Sequence, residues 1–434
     1  MLIDVDGWEF TIKFAKIEFM EKKPRVICAM SGGVDSSVTA AILQQQGFEV
    51  IGIFMKLWSE KAAPSSKIRE NICCSAEAAA AARAVANKLK IPFYVINLEK
   101  EFKRAVVDYY LKEYEAGRTP NPCVICNRDI KGEFLLKKVL ELKADFLATG
   151  HYARISLAYD TKTRVQRPSE SLTLNSRPRS SPIAIGETLP ARPANGFLSH
   201  KLALFEAQDR NKDQSYFLWA LSQKHLSKIL FPVGSFRKKE VIKMAQNWHL
   251  PTAQRRESQG ICFIPDREIS QFLRRQTKKL TKPGPIYDIS GKKLGLHQGL
   301  LGITIGQRHH LGVGGPKAYY VVKLNIEDNS LIVGDEEDLY RRKLIADNLN
   351  WIGMADSSQL TANGIGGRIR YGHPIESCKL KAVSRKQIKV IFDEPQRAIT
   401  PGQSIVFYRR KIASSKGAEI LGGGIIKEAI ENSH

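Results

Sequence analysis

The apolar run from Arg25 to Met30 passes through Ser31-Gly32-Gly33-Val34-Asp35-Ser36-Ser37 straight into a helical pattern, and that juncture constrains the chain more than any other feature. A glycine pair directly after an apolar strand lets the backbone turn sharply and approach an anion closely. The helix that follows points its N-terminus at the same spot, so backbone N–H groups and the helix dipole favour phosphate there without a lysine in the loop. Ser31, Ser36 and Ser37 add hydroxyl donors. The pattern differs from G-x-x-x-x-G-K-[ST], whose lysine grips the terminal phosphates.

Around this loop, short apolar runs alternate with helical stretches. Arg25 to Met30, Val50 to Met55, Phe93 to Asn97 and Phe146 to Thr149 read as buried strands. Between them, Ser36 to Gln46, Ala76 to Leu89, Phe102 to Glu115 and Ile130 to Leu142 carry apolar residues at helical spacing. Successive βα units of this kind predict an α/β domain with a doubly wound parallel sheet. Residues 156–199, rich in Ser, Pro, Arg and Thr, break the pattern and read as a flexible insertion. Helical spacing returns at Ser215 to Ile229 and Arg237 to Asn247. From Thr281 onward, turn signals separate β-rich segments: Ala318 to Asn325, Ser330 to Gly334, Lys379 to Val383, Ile388 to Phe392 and Gln403 to Tyr408. The expected organisation is an extension over 1–24, the α/β domain over 25–275, a β-rich domain over 276–345 and a small β-barrel over 346–434.

Lys and Arg number 67 against 44 acidic residues, a net charge of +23 spread along the chain rather than gathered in a tail. Such a surface attracts polyanions, so nucleic acid is the default partner. Seven cysteines do not make a disulfide scaffold at this length, and a reducing, cytoplasmic setting fits best. Asp4 and Asp6 stand where a signal peptide needs positive charge, and no stretch reaches the roughly 18 apolar residues that span a bilayer.

Cys123 and Cys126 form a C-x-x-C near the start of the helix expected from Ile130, where a helix N-terminus stabilises the reactive thiolate. Taken alone the motif is ambiguous. It suits zinc only if further ligands exist, and the adjacent Cys73 and Cys74 are poorly spaced for that; it equally suits a redox pair. Cys262, between Ile261 and Phe263, has the flanks of an inert core cysteine.

The loop resembles that of enzymes that cleave ATP between the α and β phosphates and adenylate an oxygen. Ten stretches extend the resemblance: SGGVDSSV, FMKLW, CCSAEA, TPNPCVICN, ATGHYAR, KDQSYFLW, SQGICFIPD, TIGQRHHLGVGG, AYYVV and DEPQRAITPGQ. They occur in the order and approximate spacing of the tRNA-specific 2-thiouridylase family, over nearly the whole chain apart from the extension and the insertion. The resemblance implies Cys126 as nucleophile and Cys262 as carrier of a persulfide sulfur. It implies ATP, travelling with magnesium, against Ala29, Met30, Ser31, Gly32, Gly33, Val34, Asp35 and Ser36, with Met55 against the adenine and Gly150 closing over the nucleotide. Asn121, Pro122 and Cys123 fall where the target base is expected. His151, Lys212, Asp213, Gln214, Arg370, Tyr371 and Gln403 match tRNA-contacting positions; an arginine beside an aromatic ring also suits a phosphate beside an unstacked base. Met55 is equally placed for core packing, and a lone His at a strand end is usually structural. A protein that relays persulfide sulfur is an implied partner. One departure stands out: some members carry Asp, a candidate general base, where this chain has Cys123, so the base is unassigned. Two other readings stay open, an adenylating enzyme with an amine nucleophile and an RNA-binding protein with a vestigial nucleotide fold.

Overall fold

The chain starts its sheet in the middle. The computed structural model describes residues 23–58, 75–157, 201–255, 260–264, 269–314, 318–352, 364–409 and 417–431. Among the described residues, seven strands precede residue 231: β1 (Arg25–Ala29), β2 (Glu49–Lys56), β3 (Phe93–Asn97), β4 (Phe146–Thr149), β5 (Ala153–Leu157), β6 (Leu202–Glu206) and β7 (Ile229–Leu230). Five of them form one sheet in the order β3-β2-β1-β4-β7, all parallel. The chain steps outward from β1 to β3 and then returns to the other side of β1, so the winding reverses between β1 and β4. A crevice opens at such a switch point beyond the carboxyl ends of the strands, and ligands of doubly wound sheets bind there.

Val26, Ile27 and Cys28 are completely buried, as an apolar run at the centre of a parallel sheet requires. β3 departs from the expected buried strand. It is an edge strand with Tyr94 59% and Val95 48% exposed, because helices and sheet cover only one of its sides.

The helices are α1 (Val34–Gln45), α2 (Ala76–Leu89), α3 (Glu99–Phe102), α4 (Asp108–Glu115), α5 (Pro122–Ile125), α6 (Leu136–Glu141), α7 (Gln223–Leu226), α8 (Lys238–Asn247) and α9 (Ile269–Gln276). The alanine run of α2 favours helix intrinsically, and Ser75 caps it by accepting from the N–H of Ala78 at 3.1 Å. A π-type stretch, Lys103–Val107, joins α3 to α4, and a second, Cys126–Leu135, joins α5 to α6. The helix expected from Ile130 therefore begins eight residues earlier, at Pro122, whose fixed φ and missing N–H suit a first helical turn.

Ser215 to Ile229 is not one helix. It folds as a single tight turn, Ser215–Phe217, then coil, then α7 and β7. Asn350 takes the carbonyls of Trp219 and Leu221 at 2.7 and 3.1 Å, so those groups cannot continue a helical ladder, and Ser222 starts α7 with a new capping box. The apolar spacing records the burial of Tyr216, Leu218, Trp219 and Leu221 instead.

After α9 the described residues are mainly β, with one short helical turn at Glu337–Leu339. The strands β8 (Gly284–Asp288), β9 (Lys293–His297), β10 (Tyr320–Asn325) and β11 (Ser330–Gly334) form a sheet ordered β10-β11-β8-β9. The last six, β12 (Tyr340–Trp351), β13 (Ile365–Arg368), β14 (Glu376–Ser384), β15 (Gln387–Arg397), β16 (Ser404–Arg409) and β17 (Glu419–Ile430), close into a barrel through the β12–β17 pairing. β17 also pairs with β6, and β6 with β5, so a hairpin from the α/β half extends the barrel sheet. One apolar core accordingly contains Ile27 and Leu147 of the parallel sheet together with Val406, Tyr408 and Ile420 of the barrel.

That hairpin corrects the near edge of the expected insertion. Ser156 pairs with Ala203 and Leu157 with Leu202, so both residues belong to the ladder. Residues 158–200, like 1–22 and the Cys73-Cys74 pair, lie outside the described residues. Because Leu157 and Leu202 are already partners, replacing 158–200 by a short turn is expected to leave thermal stability and turnover within about twofold, since loop length costs stability only logarithmically. Melting temperature and product formation of the shortened chain check this.

Candidate active site

Gly32 has φ +76°, and a Cβ there would lie 2.3 Å from the carbonyl oxygen of Ala78 in the first turn of α2. Only glycine fits. Gly33 is the N-cap of α1 and no side chain caps that helix, so its first N–H groups face the crevice. A Cβ on Gly150, after β4, would come within 2.8 Å of the backbone nitrogen of Ser36. The loop after β1 and the loop after β4 thus touch across the switch point. The serines act differently from expectation. Ser36 Oγ donates to Gly33 O at 3.1 Å and accepts from the Ser31 N–H at 3.2 Å, while Ser37 Oγ donates to Gly33 O at 2.8 Å. Ser36 and Ser37 are buried, so their hydroxyls staple the loop, and an anion would meet the backbone and Ser31.

Asp35 faces a cation that the sequence did not reveal. Lys238, at the start of α8 and nearly buried, donates to both of its carboxylate oxygens at 2.7 and 2.8 Å, and Tyr152 donates at 2.8 Å. The loop has no lysine of its own, yet the fold brings one to it from 203 residues away. Ala29, Met30 and Val34 are buried, so they offer only backbone to a ligand. Met55, half-buried at the end of β2, packs both on the sheet core and on the neighbouring apolar cluster that contains Cys126.

Cys126 and Cys262 lie on the apolar cluster that Met55 also touches. Asn121 and Pro122 are buried, Cys123 is half-buried in the first turn of α5, and Cys126 opens the π-type stretch with 7% exposure. Cys126 lies in the cluster formed by Tyr110, Ile130, Phe263 and Phe272, and Cys262 packs against the same cluster. The fold therefore sets on one apolar cluster two residues separated by 262 − 126 = 136 positions. Since the helix starts at Pro122, Cys126 sits past the first turn, where the dipole acts less than at Cys123. Burial pushes the Cys126 thiol up, Lys131 pulls it down and Asp129 pushes it up. Cys28, in β1, is fully buried, and burial alone drives it up to about 12, which marks it as inert packing.

Three hydrogen bonds from two other parts of the chain hold the segment before Cys123. The Thr119 N–H donates to Pro401 O at 2.9 Å, Gln403 Nε2 donates to Thr119 O at 2.9 Å, and the hydroxyls of Thr119 and Thr304 meet at 3.0 Å. Gln403 thus gives its amide to the cysteine loop. Nearby, Tyr371 is 45% exposed and its ring lies 4.7 Å from that of Phe217, while Arg370 donates to Ala398 O at 3.1 Å. Asp213 is buried and accepts from the Ala207 N–H and the Ser215 N–H and hydroxyl, and Gln214 Oε1 accepts from the Tyr152 N–H. Both shape the segment from within, leaving the half-buried Lys212 as its outward cation. Among the described residues, no three His, Cys, Asp or Glu side chains cluster to hold a metal, and no helix is long and apolar enough to cross a membrane.

A Carboxydothermus hydrogenoformans protein named tRNA-specific 2-thiouridylase MnmA is 40% identical over 410 residues, 94% of this chain and 99% of that one. The chain belongs to the tRNA-specific 2-thiouridylase family. A second thiouridylase, of Halothermothrix orenii, is 42% identical over 407 residues, 93% of this chain and 99% of its own. Domain models fall on the same parts of the chain: a tRNA methyl transferase HUP domain over 24–173 and 195–266, a tRNA methyl transferase PRC-barrel domain over 270–335 and an aminomethyltransferase β-barrel domain over 341–426. The HUP match covers the switch-point crevice and both cysteines. The gap between its two segments falls within the insertion that this chain carries relative to the thiouridylase pattern.

Proposed function

We propose that this chain is a tRNA-uridine 2-sulfurtransferase that uses ATP to activate the base oxygen and a cysteine persulfide to replace it. The observation that carries the reading is the packing of Cys126 and Cys262 on one apolar cluster, against which Met55 at the end of β2 also packs. A vestigial fold has no use for that arrangement, and an enzyme with an amine nucleophile needs neither thiol. The 2-thiouridylase names of the relatives and the net charge of +23 agree with a tRNA substrate.

The chemistry is as follows. The 2-position carbonyl oxygen of the wobble uridine attacks the α phosphate of ATP held at Ser31 to Ser36, forming an AMP ester and releasing pyrophosphate. The terminal sulfur of a Cys262 persulfide attacks C2, and AMP leaves with the oxygen. The Cys126 thiolate then attacks Cys262 Sγ. That S–S bond breaks, 2-thiouridine departs as the leaving thiolate, and a Cys126–Cys262 disulfide remains for an external thiol to reduce. A sulfur-relay protein reloads Cys262. The proton acceptor at the uridine stays unassigned, because Cys123 stands where some members of the family carry Asp. Magnesium would enter on the ATP phosphates; no step is assigned to it.

The test is direct: purified chain, ATP, unmodified tRNA, a persulfide donor to load Cys262 and a thiol to reduce the product disulfide, with nucleosides read by mass spectrometry. Appearance of 2-thiouridine with stoichiometric AMP supports the reading, whereas AMP without thiolated tRNA would remove it. In the same assay Gln403→Ala is expected to lower the thiolation rate about tenfold or more with the KM for ATP unmoved, because misplacing a reacting group by about 1 Å is costly. A loss of tRNA affinity with unchanged kcat would instead return Gln403 to a direct tRNA contact.

A further inference from the structure

Cys126 is the group the proposed chemistry needs as thiolate, yet it sits where a thiolate is disfavoured. It is almost fully buried, it is past the first turn of its helix, and burial is the largest influence on it, upward. Something must offset that. The π-type stretch that begins at Cys126 supplies a cation. Its i→i+5 bonding inserts an extra residue per turn, which swings the fourth and fifth following residues onto one face, and such widened turns recur at functional sites. Here the fifth residue is Lys131.

The position of Lys131 is fixed from two sides. Its Nζ donates to Asn127 Oδ1 at 2.9 Å and to His151 Nε2 at 3.2 Å. Asn127 is itself buried and anchored through Nδ2 to Phe217 O at 3.0 Å. His151 is held by Thr149 Oγ1 at 2.7 Å on Nδ1 and edge-on against Phe231. An ammonium only donates, so Nε2 of His151 accepts and the ring is neutral with its proton on Nδ1. Burial and Lys131 both hold His151 well below the ordinary imidazole range, in agreement. His151 follows Gly150 of the nucleotide crevice, so this network runs from the crevice to the nucleophile.

Resting on the reading of Cys126 as nucleophile, we infer that Lys131, held by Asn127 and His151, is a positioning residue whose charge lowers the cost of forming the Cys126 thiolate. The other groups around Cys126 do not supply that charge. Asp129 opposes it and is paired with Arg128 at 2.6 Å, while Tyr110, Tyr114, Cys123 and Cys262 are neutral or would be negative. Lys131 is the one cation that acts on Cys126 among the described residues.

The test reads Cys126 itself. Alkylation by iodoacetamide is followed by mass spectrometry of the Cys126 peptide across pH, in the full chain and in Lys131→Met, Lys131→Gln and Lys131→Arg. Removing the charge is expected to slow Cys126 alkylation about tenfold near pH 7 and to move its midpoint upward, with rates converging at high pH. Thiolation should follow the same curve, and Lys131→Arg should recover most of it. A midpoint unchanged in both Met and Gln variants overturns the inference, even where thiolation falls, since a purely structural lysine would leave the thiol's titration alone. Thiolation that survives Cys126→Ser would instead sink the nucleophile reading and leave the alkylation result standing as local electrostatics. The Gln variant guards against a Met variant that fails to fold.

Discussion

Cys126→Ser and Cys262→Ser are each expected to cut 2-thiouridine formation by about 10³-fold or more, and the double variant no further. The reason is chemical. Without Cys262 no persulfide forms, and without Cys126 the mixed disulfide to the base is not resolved, so either loss stops the same sequence of bonds. The glycine turn shares no residue with the cysteine cluster, so release of pyrophosphate should continue in both variants at a rate within a few-fold of the parent. Stability changes are a smaller matter. A hydroxyl in place of the thiol at Cys126 enters an apolar cluster and costs about 1–3 kcal/mol, which a melting curve detects and a well-folded variant survives. The measurement is nucleoside mass spectrometry of tRNA beside pyrophosphate release. Thiolation undiminished in both serine variants ends the sulfur-relay account; loss of pyrophosphate release with it would mean that the two sites are not separable.

Much of this was legible because it is local. The glycine turn, the strands on either side of it and the alanine-rich α2 are set by neighbouring residues, and their boundaries in the structure lie within about two residues of those the periodicity implies. What failed, failed for tertiary reasons. Ser215 to Ile229 has helical spacing, but Asn350, some 130 residues away, takes the carbonyls a helix would use. Lys238 supplies the phosphate loop with its cation across 203 residues, and no spacing rule links it to Asp35. Gln403, matched by motif to a nucleic-acid contact, also braces Thr119 from the barrel, a role no local pattern signals. The widened turn at Cys126 is invisible to a pattern search tuned to 3.6 residues, and it is what brings Lys131 alongside. The β5–β6 hairpin was hidden for a different reason: its strands are separated by the insertion, and its partner β17 is in another module.

Gly32→Ala is expected both to destabilise the fold and to disable the crevice. Two effects act together. At φ +76° an L side chain costs about 1–2 kcal/mol, and the added carbon would lie 2.3 Å from the Ala78 carbonyl oxygen, which belongs to a capped helix and cannot swing aside. The turn must therefore move, which withdraws Gly33 and the uncapped end of α1 from the crevice and disturbs the Ser36 and Ser37 staples that depend on the Gly33 carbonyl. The expected loss is about 2–4 kcal/mol of stability together with at least a hundredfold in pyrophosphate release per ATP concentration. Gly33→Ala provides the contrast. Its φ is −92° and its Cβ would find only Ser31 Oγ, at 3.6 Å, so the fold accepts it and the melting temperature should stay near that of the parent. Equal melting temperatures for the two variants would mean that the turn at Gly32 is not held by its contact with α2, and the account of how this loop is shaped would have to be given up.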